Sequence, residues 1–439
     1  MRNKSFIFVT AVLLCVTLFV ACNRQQGGSG GRAATATGAT TTVQFWNSWT
    51  GSDGQVLIDN VERFNRNNPW GVFVDMDISG GTGERLATAL PAGVASAIFL
   101  GGTNDKWKYQ SYLHDINDMW TVTDLRENDF MPSYLDTGRI GNDLYLIPFQ
   151  HSAYYMYWNK DLFSQAGLDP ERPPMSFQEW TTMASRMTDP NRNVFGSGLF
   201  PAFGAVQSHM MELMAGPAIT EPEPGRYKAM FLEKSAEYTQ YLMWARALFD
   251  SGDNPREGGL DTMFRANQLG IFVNGPWVAA GAIQSETNFE MTKIFGHEPM
   301  GDVASFFFTN SANAEVKLAA QRFVQWWFTG LPGTSPSDTG VGNWSLDIGF
   351  PGFYLPLVNS APYQSNQRLR NLAQNDPNAI VQITCPDSFH GFQDINGQVI
   401  SPLAQSVIFG EDIPQALQRA QTEAERIIVF YHGEASLIR

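Results

Sequence analysis

Between Val43 and Leu100 the hydrophobic period switches repeatedly between two and 3.6, and this constrains the fold more than any other feature. Val43 and Phe45 alternate with Gln44. Leu57, Ile58, Val61 and Phe64 then recur at helical spacing until Pro69. Val72, Val74, Met76 and Ile78 alternate with Asp75 and Asp77, "GERLATALPAGVAS" returns to a helical pattern, and "AIFL" is a short apolar strand. A β-α-β-α-β order requires crossover helices, and hence a mostly parallel sheet with helices on its faces.

The chain has 439 residues, too many for one ordinary core, so two lobes are expected. "DLYLIPF" and the aromatic "AYYMYW" read as two more strands, followed by a short helix, "KDLFSQAG", that ends at Gly167. "PMSFQEW" carries a capping box, with Ser176 as N-cap and Glu179 three residues on. Met175 and Trp180 stand at the positions of a hydrophobic staple, and Trp180, Met183, Ala184 and Met187 form a stripe for burial. "SANAEVKLAAQRFVQWWFTG" is amphipathic up to Gly330. The last helix is capped by Asp412 and presents Ile413, Leu417, Ala420, Ala424 and Ile427 on one face.

Charged residues make up 16% and hydrophobic residues 43%, a globular composition. A formal net charge of −14 argues against nucleic acid and against a polybasic membrane contact, but says little about a small neutral ligand. The N-terminus is more specific. Arg2 and Lys4 precede an apolar stretch, Phe6 to Val20, that is too short for an ordinary spanning helix. It ends in "LFVAC", which resembles the bacterial lipoprotein signal, although Phe19 stands where Leu is usual. Residues 1–21 then read as signal peptide and Cys22 as the lipidated first residue of the mature chain. An uncleaved anchor would leave the protein on the same side of the membrane. Residues 22–42, rich in Gly, Ser, Thr and Ala, read as a flexible tether reaching roughly 25 Å. Cys15 leaves with the signal and Cys22 is lipidated, so Cys385 is left without a disulfide partner or a thiolate metal site.

No phosphate loop, dinucleotide fingerprint, nucleophile elbow or H-E-x-x-H motif occurs. His114, His151, His209, His297, His390 and His432 lack ligand spacing. The sequence therefore calls for no metal, no cofactor and no catalytic residue. A triad or carboxylate pair assembled from distant positions stays open, since such groups converge only in three dimensions.

"IFVNGPWVAAGAI" places the largest side chain directly behind an Asn-Gly-Pro turn. Ile271 to Val273 read as a buried strand, Pro276 suits the first turn of a helix, and Trp277 falls in that turn. Two roles fit Trp277 equally from these residues: a local core plug, or a flat apolar platform at a ligand cleft.

"IPFQHSAYYMYWNKDLFSQAGLDPERPPMSFQEW" resembles the family-1 extracellular solute-binding proteins, the substrate-capturing components of ABC importers, mostly for carbohydrates. Trp158 replaces the family's Tyr, and Ser176-Phe177 its Thr-Trp. "VQFWNSWTG", "NQLGIFVNGPWVAAGAI", "SANAEVKLAAQRFVQWW" and "ALQRAQTEAERI" resemble further family segments in the same order, so the likeness extends over most of Val43 to Ile428. The resemblance implies that Trp277 faces a cleft and stacks on a sugar ring. There are departures. The Pro-Asp expected after the second helix is replaced by "ASAIFLGGTND", where Asn104 or Asp105 could stand in. The late Trp of maltose-binding-protein-like members has no counterpart near Gln398, with "DSFHGFQDI" and "GVGNWSLDI" offering aromatics nearby instead.

The fold implied is α/β and two-lobed, like periplasmic binding proteins, with several inter-lobe crossings. These are expected near Phe149 to Tyr154, Gly296 to Ala304 and Gly349 to Leu355. The first lobe is then 43–150 plus 300–352, and the second 153–297 plus 355–439. The candidate ligand contacts are Trp277, Trp49, Trp344, His151, Ser152, Asp105, Asn104, Gly80 and Gly81. Rival readings are core packing for Trp49, a simple turn for Gly80 and Gly81 and a solvated loop for Asp105, while Trp344 reads as part of a Gly-rich loop before the third crossing. The function implied is capture of a carbohydrate between lobes by hinge closure and its delivery to ABC permease subunits. The protein would be a monomer held to the membrane only by its lipid. A non-sugar solute is the alternative, and a secreted glycan-acting enzyme a further one. A cleft carboxylate pair at glycosidase spacing would favour the enzyme.

Overall fold

The computed structural model describes residues 41–49, 52–79, 81–297, 301–372, 385–386 and 388–439. The expected signal segment, Cys22, nearly all of the tether and Gly80 lie outside them.

Nine strands form two main sheets. They are β1 (Thr41–Trp46), β2 (Val72–Asp77), β3 (Ile98–Gly101), β4 (Leu146–Ala153), β5 (Tyr155–Asn159), β6 (Phe195–Gly198), β7 (Leu269–Asn274), β8 (Phe289–Thr292) and β9 (Gly301–Phe308). The first sheet has the order β2-β1-β3-β9-β4 and the second β8-β5-β7-β6. β1 runs parallel to β2 and β3, as the β-α-β-α-β reading requires, while β9 pairs antiparallel with both β3 and β4. In the second sheet β5 is antiparallel to β7 and β8, and β7 is parallel to β6. The principal helices are α1 (Ser52–Arg66), α2 (Thr82–Ala89), α3 (Phe177–Met187), α4 (Gly204–Ala215), α5 (Trp277–Gln284), α6 (Ala314–Thr329) and α7 (Ile413–His432).

Each sheet separates two apolar cores. Val43, Phe45 and Val74 face Leu57, Phe64 and Phe323 of α1 and α6, whereas Trp46, Phe99 and Phe307 point the other way, toward Leu86 of α2. The aromatic strand β5 is buried on both faces. Met156 and Trp158 join Trp180 of α3 in one core, and Tyr155 and Tyr157 join Val278 and Ala282 of α5 in the other. That explains its near-continuous aromatic sequence, since a strand covered on both sides has no polar face. Ser176 and Asp412 cap their helices as expected, accepting from the backbone N–H of Glu179 and Gln415. The staple does not form: Trp180 is fully buried while Met175 is 51% exposed. Glu179 reaches back to the Met175 N–H at 2.9 Å, which fixes the helix entry by a hydrogen bond instead.

The chain passes between sheets at Tyr154, the one residue between β4 and β5, and again between Thr292 and Gly301. The third crossing lies later than Gly349 to Leu355. Phe350, Phe353, Tyr354, Leu357, Tyr363 and Leu369 all belong to the first lobe's core, and Leu372 is the first buried residue of the second. Arg368 meets Glu290 of β8 at 3.3 Å. The assignment of 355–369 to the second lobe is thus corrected. Aromatic packing against Phe130, Tyr134 and Phe328 holds Phe353 and Tyr354 where they are.

Candidate functional site

A cavity of about 340 Å³ opens where the two sheets meet. Ser48 and Trp49 line it from the loop after β1, and Leu100, Gly101 and Gly102 from the carboxyl end of β3 and the turn that follows. Ser152, Tyr154, Gly301, Asp302 and Ala304 line it from the two crossing strands. The second lobe contributes Phe203, Ala205 and His209 from the first half of α4 and the residue before it, and Phe392 and Gln393 from the start of a helical run that continues to Ile408. Its size and mixture of rings with a few polar groups are those of a small-molecule site.

Strand alternation decides what the crossing presents. β4 and β9 are in register with Ser152 opposite Asp302 and His151 opposite Val303. Ser152 and Asp302 therefore share the cavity face, and their neighbours turn away. His151 does not reach the cavity. It is 2% exposed, and its Nδ1 lies 3.2 Å from the Tyr134 hydroxyl. Burial pulls its pKa down to about 4, so it is neutral.

The aromatic wall is supported from behind. Trp49 is half-buried and stacks on Trp344 with centroids 5.7 Å apart. Trp344 is 1% exposed, enclosed by Phe149, Trp327 and Phe350. It is a core residue that braces Trp49, not a cleft residue. Its Nε1–H donates to Gln150 Oε1 at 2.8 Å, and Gln150 Nε2 donates to Ser152 Oγ at 3.0 Å. This relay orients Ser152 and leaves its O–H as a donor. Tyr154 meets Phe203 edge-on at 5.5 Å and Trp277 edge-on at 6.0 Å. Trp277 is half-buried, does not line the cavity and stands behind Tyr154. Its ring folds back over Gly275, where a Cβ would lie only 1.9 Å away, so the Asn-Gly-Pro turn needs glycine for that close approach.

The acids are held by backbone. Asp302 Oδ1 accepts from the N–H groups of Thr103 and Val303 at 2.9 and 2.8 Å. Asp105 Oδ2 accepts from Gly102 N–H at 3.1 Å, which places it beside the cavity rather than in a solvated loop. Burial first, and Asp302 second, push the Asp105 carboxyl up to about 6. Burial and Asp302 also raise Tyr154, which stays a neutral donor. Burial, then His297 and His151, lower His209 to about 3. No lysine or arginine is among the described residues lining the cavity. Asn104 and Gly81 begin the helices Asp105–Tyr109 and α2 without reaching it. Among the described residues no group of His, Cys, Asp and Glu could hold a metal ion, and no helix is long and apolar enough to cross a membrane.

Sequence reasoning missed Tyr154, Asp302, Phe203 and His209. Tyr154 and Asp302 do fall inside the expected crossings, and Phe392 and Gln393 lie in the flagged "DSFHGFQDI". Nothing local in the sequence marks Phe203 or His209.

The sequence pattern of a family described as bacterial extracellular solute-binding protein matches residues 62–329. The chain is 30% identical over 160 residues to the sn-glycerol-3-phosphate-binding periplasmic protein UgpB of Escherichia coli (strain K12). That match covers 34% of this chain and 36% of the relative, so the chain spans about a third of that protein's length. Among solved structures, CpMnBP1 with mannotriose bound is similar at TM-score 0.69 and 19% identity, covering 88% of this chain and 100% of that one. A Thermotoga lettingae ABC transporter solute-binding protein bound with α-D-tagatose is similar at TM-score 0.72 and 15% identity, covering 89% and 100%. These two likenesses are of fold.

The acid beside the cavity gives a direct test of its surroundings. A carboxyl raised in the folded state contributes stability that is fully present below about pH 3.8 and lost as pH rises through about 6. Asp105→Asn should therefore gain on the wild type between pH 4 and pH 7, by on the order of 1–3 kcal/mol. Urea unfolding of both proteins at the two pH values checks this, because the titration of His151 and His209 is common to both. Parallel pH curves would show that Asp105 is solvated.

Proposed function

The chain belongs to the bacterial extracellular solute-binding protein family, substrate-binding proteins of ABC importers and not enzymes, and from that premise we propose that it captures a carbohydrate in the cavity between its lobes. The observation that supports this most is the lining: aromatic rings from both lobes, hydroxyl, amide and carboxylate groups between them, and no lysine or arginine. Sugar rings present C–H faces that pack on aromatic planes, and their hydroxyls need donors and acceptors at fixed places. Trp49 and Tyr154 are the platforms in this reading, and Ser152, Asp302, His209 and Gln393 read hydroxyls. Trp277 acts by holding Tyr154. A ligand touching both lobes favours the closed arrangement, so hinge closure and hand-over to permease subunits follow.

A phosphate ester is the second reading, favoured by the likeness to a glycerol-3-phosphate-binding protein. The lining opposes it, because a phosphate beside Asp302 without a lysine or arginine would be repelled. Isothermal titration separates the two. Neutral mono- and disaccharides should include a binder, and glycerol-3-phosphate should not bind. Trp49→Ala should then weaken the saccharide by on the order of 2 kcal/mol, roughly thirtyfold. Binding of glycerol-3-phosphate with no response to any saccharide would replace the first reading by the second.

Attachment through Cys22 completes the proposal. The "LFVAC" stretch, followed by the Gly-, Ser- and Thr-rich tether, supports a lipid anchor at Cys22, about twenty residues before β1. Cys22→Ser should move a folded protein from the membrane fraction to the aqueous fraction. Retention at the membrane after signal removal would contradict the anchor.

A further inference from the structure

One large ring belongs to neither lobe's core. Trp107 sits in the short helix Asp105–Tyr109 of the first lobe, half-buried, and joins none of the apolar cores formed by the described residues. Its ring stacks across the boundary on His390 of the second lobe, with centroids 5.9 Å apart and planes 19° from parallel. Lys106 Nζ lies 5.4 Å from the same ring. His390 is held from behind. Its backbone N–H donates to His432 Nε2 at 3.2 Å, and the two imidazole centroids are 4.7 Å apart. His432 is the last residue of α7 and packs in turn on Tyr227 and Phe389. Lys108 and Asp394 attract each other across the same boundary.

Both partners are continuous with the cavity without lining it. Gly101 and Gly102 line it a few residues before Trp107, and Phe392 and Gln393 line it directly after His390. The covalent passages between the lobes lie elsewhere on its wall, at Ser152, Tyr154 and Asp302. The stacked pair is thus a second tie between the lobes, made by side chains alone. Opening the lobes separates the two rings and closing stacks them, so the pair favours the closed arrangement. We propose that Trp107 and His390 form a latch, two positioning residues that hold the lobes closed over a bound solute without touching it. This rests on the reading of the cleft as a saccharide site, because a sugar that closes the lobes gains the latch as part of its affinity. An aromatic pair of this kind is worth about three- to tenfold in an equilibrium constant.

Single-molecule fluorescence with one dye on an exposed residue of each lobe tests it, in a Cys22→Ser background where Cys385 is buried. Glucose, mannose, maltose and mannobiose are the probes. Trp107→Ala should lower the ratio of closed to open molecules about three- to tenfold, and Trp107→Tyr should restore most of it. In stopped-flow mixing, release of any of these sugars that binds should quicken by the same factor, with association changed less than about twofold. Trp107→Ala combined with His390→Ala should do no more than either alone, which two independent losses of local structure would not give. An unchanged ratio together with unchanged release overturns the latch and leaves the saccharide reading standing. So do additive losses in the double variant. A ratio that falls as expected while none of the four sugars binds supports the latch and counts against the saccharide reading. A wild type that is open with and without every sugar overturns the latch.

Discussion

The ladder between β4 and β9 is the constraint on which the rest depends. These two eight-residue strands run antiparallel; β4 leads into one passage between the lobes and β9 emerges from the next. Their register sets Asp302 opposite Ser152, so residues about 150 positions apart in sequence share the floor of the cavity. A slip of β9 by one residue against β4 would send Val303 into the cleft and bury Asp302 in the core, leaving Ser152 without its partner. A register shift between Ala304 and Ser305 then lets the outer halves of the strands pack their Phe residues on both sides of the first sheet. Hinge, site and core are therefore one piece of structure, and the polarity of the site follows from the pleat.

Rigidity behind the floor comes from aromatic contacts. Trp327, Phe149, Trp344 and Trp49 form a chain of ring contacts from α6 through β4 to the cavity wall. Each contact adds about 0.5–1.5 kcal/mol beyond its buried area, and together they leave Trp49 little freedom to lose on meeting a ligand. The Trp344–Gln150–Ser152 relay links the same core to a cavity hydroxyl. The first lobe thus presents an ordered surface, while the second meets it with Phe203, His209 and Phe392, carried on separate segments.

Local chemistry was legible in the sequence, and long-range register was not. Period switching identified β1, α1 and β2, and the capping residues Ser176 and Asp412 sit where the pattern put them. Tyr154 fell within the first expected crossing, but whether Ser152 or His151 faces the cleft depends on the pairing partner, which no local period supplies. Trp344 misled because a Gly-rich stretch resembles a loop, whereas helical backbone from Gly340 to Ile348 buries it against Trp327 and Phe350. Residues 355–369 misled for the opposite reason: short helices of ordinary composition carry no sign of which lobe they cover. Asp302 was invisible as a site residue until the ladder placed it beside Ser152 and Asp105.

In the proposed function the ligand rests on the crossing strands and touches both lobes at once. A crystal structure at a saturating concentration of a saccharide that binds in solution tests this most directly. Density for the sugar is expected between Trp49 and Tyr154, with a hydroxyl within hydrogen-bond distance of Asp302, and contacts from Phe203 or Phe392. A sugar seated instead in the surface hollow lined by Phe200, Arg256 and Phe409, with the 340 Å³ cavity empty, would contradict it.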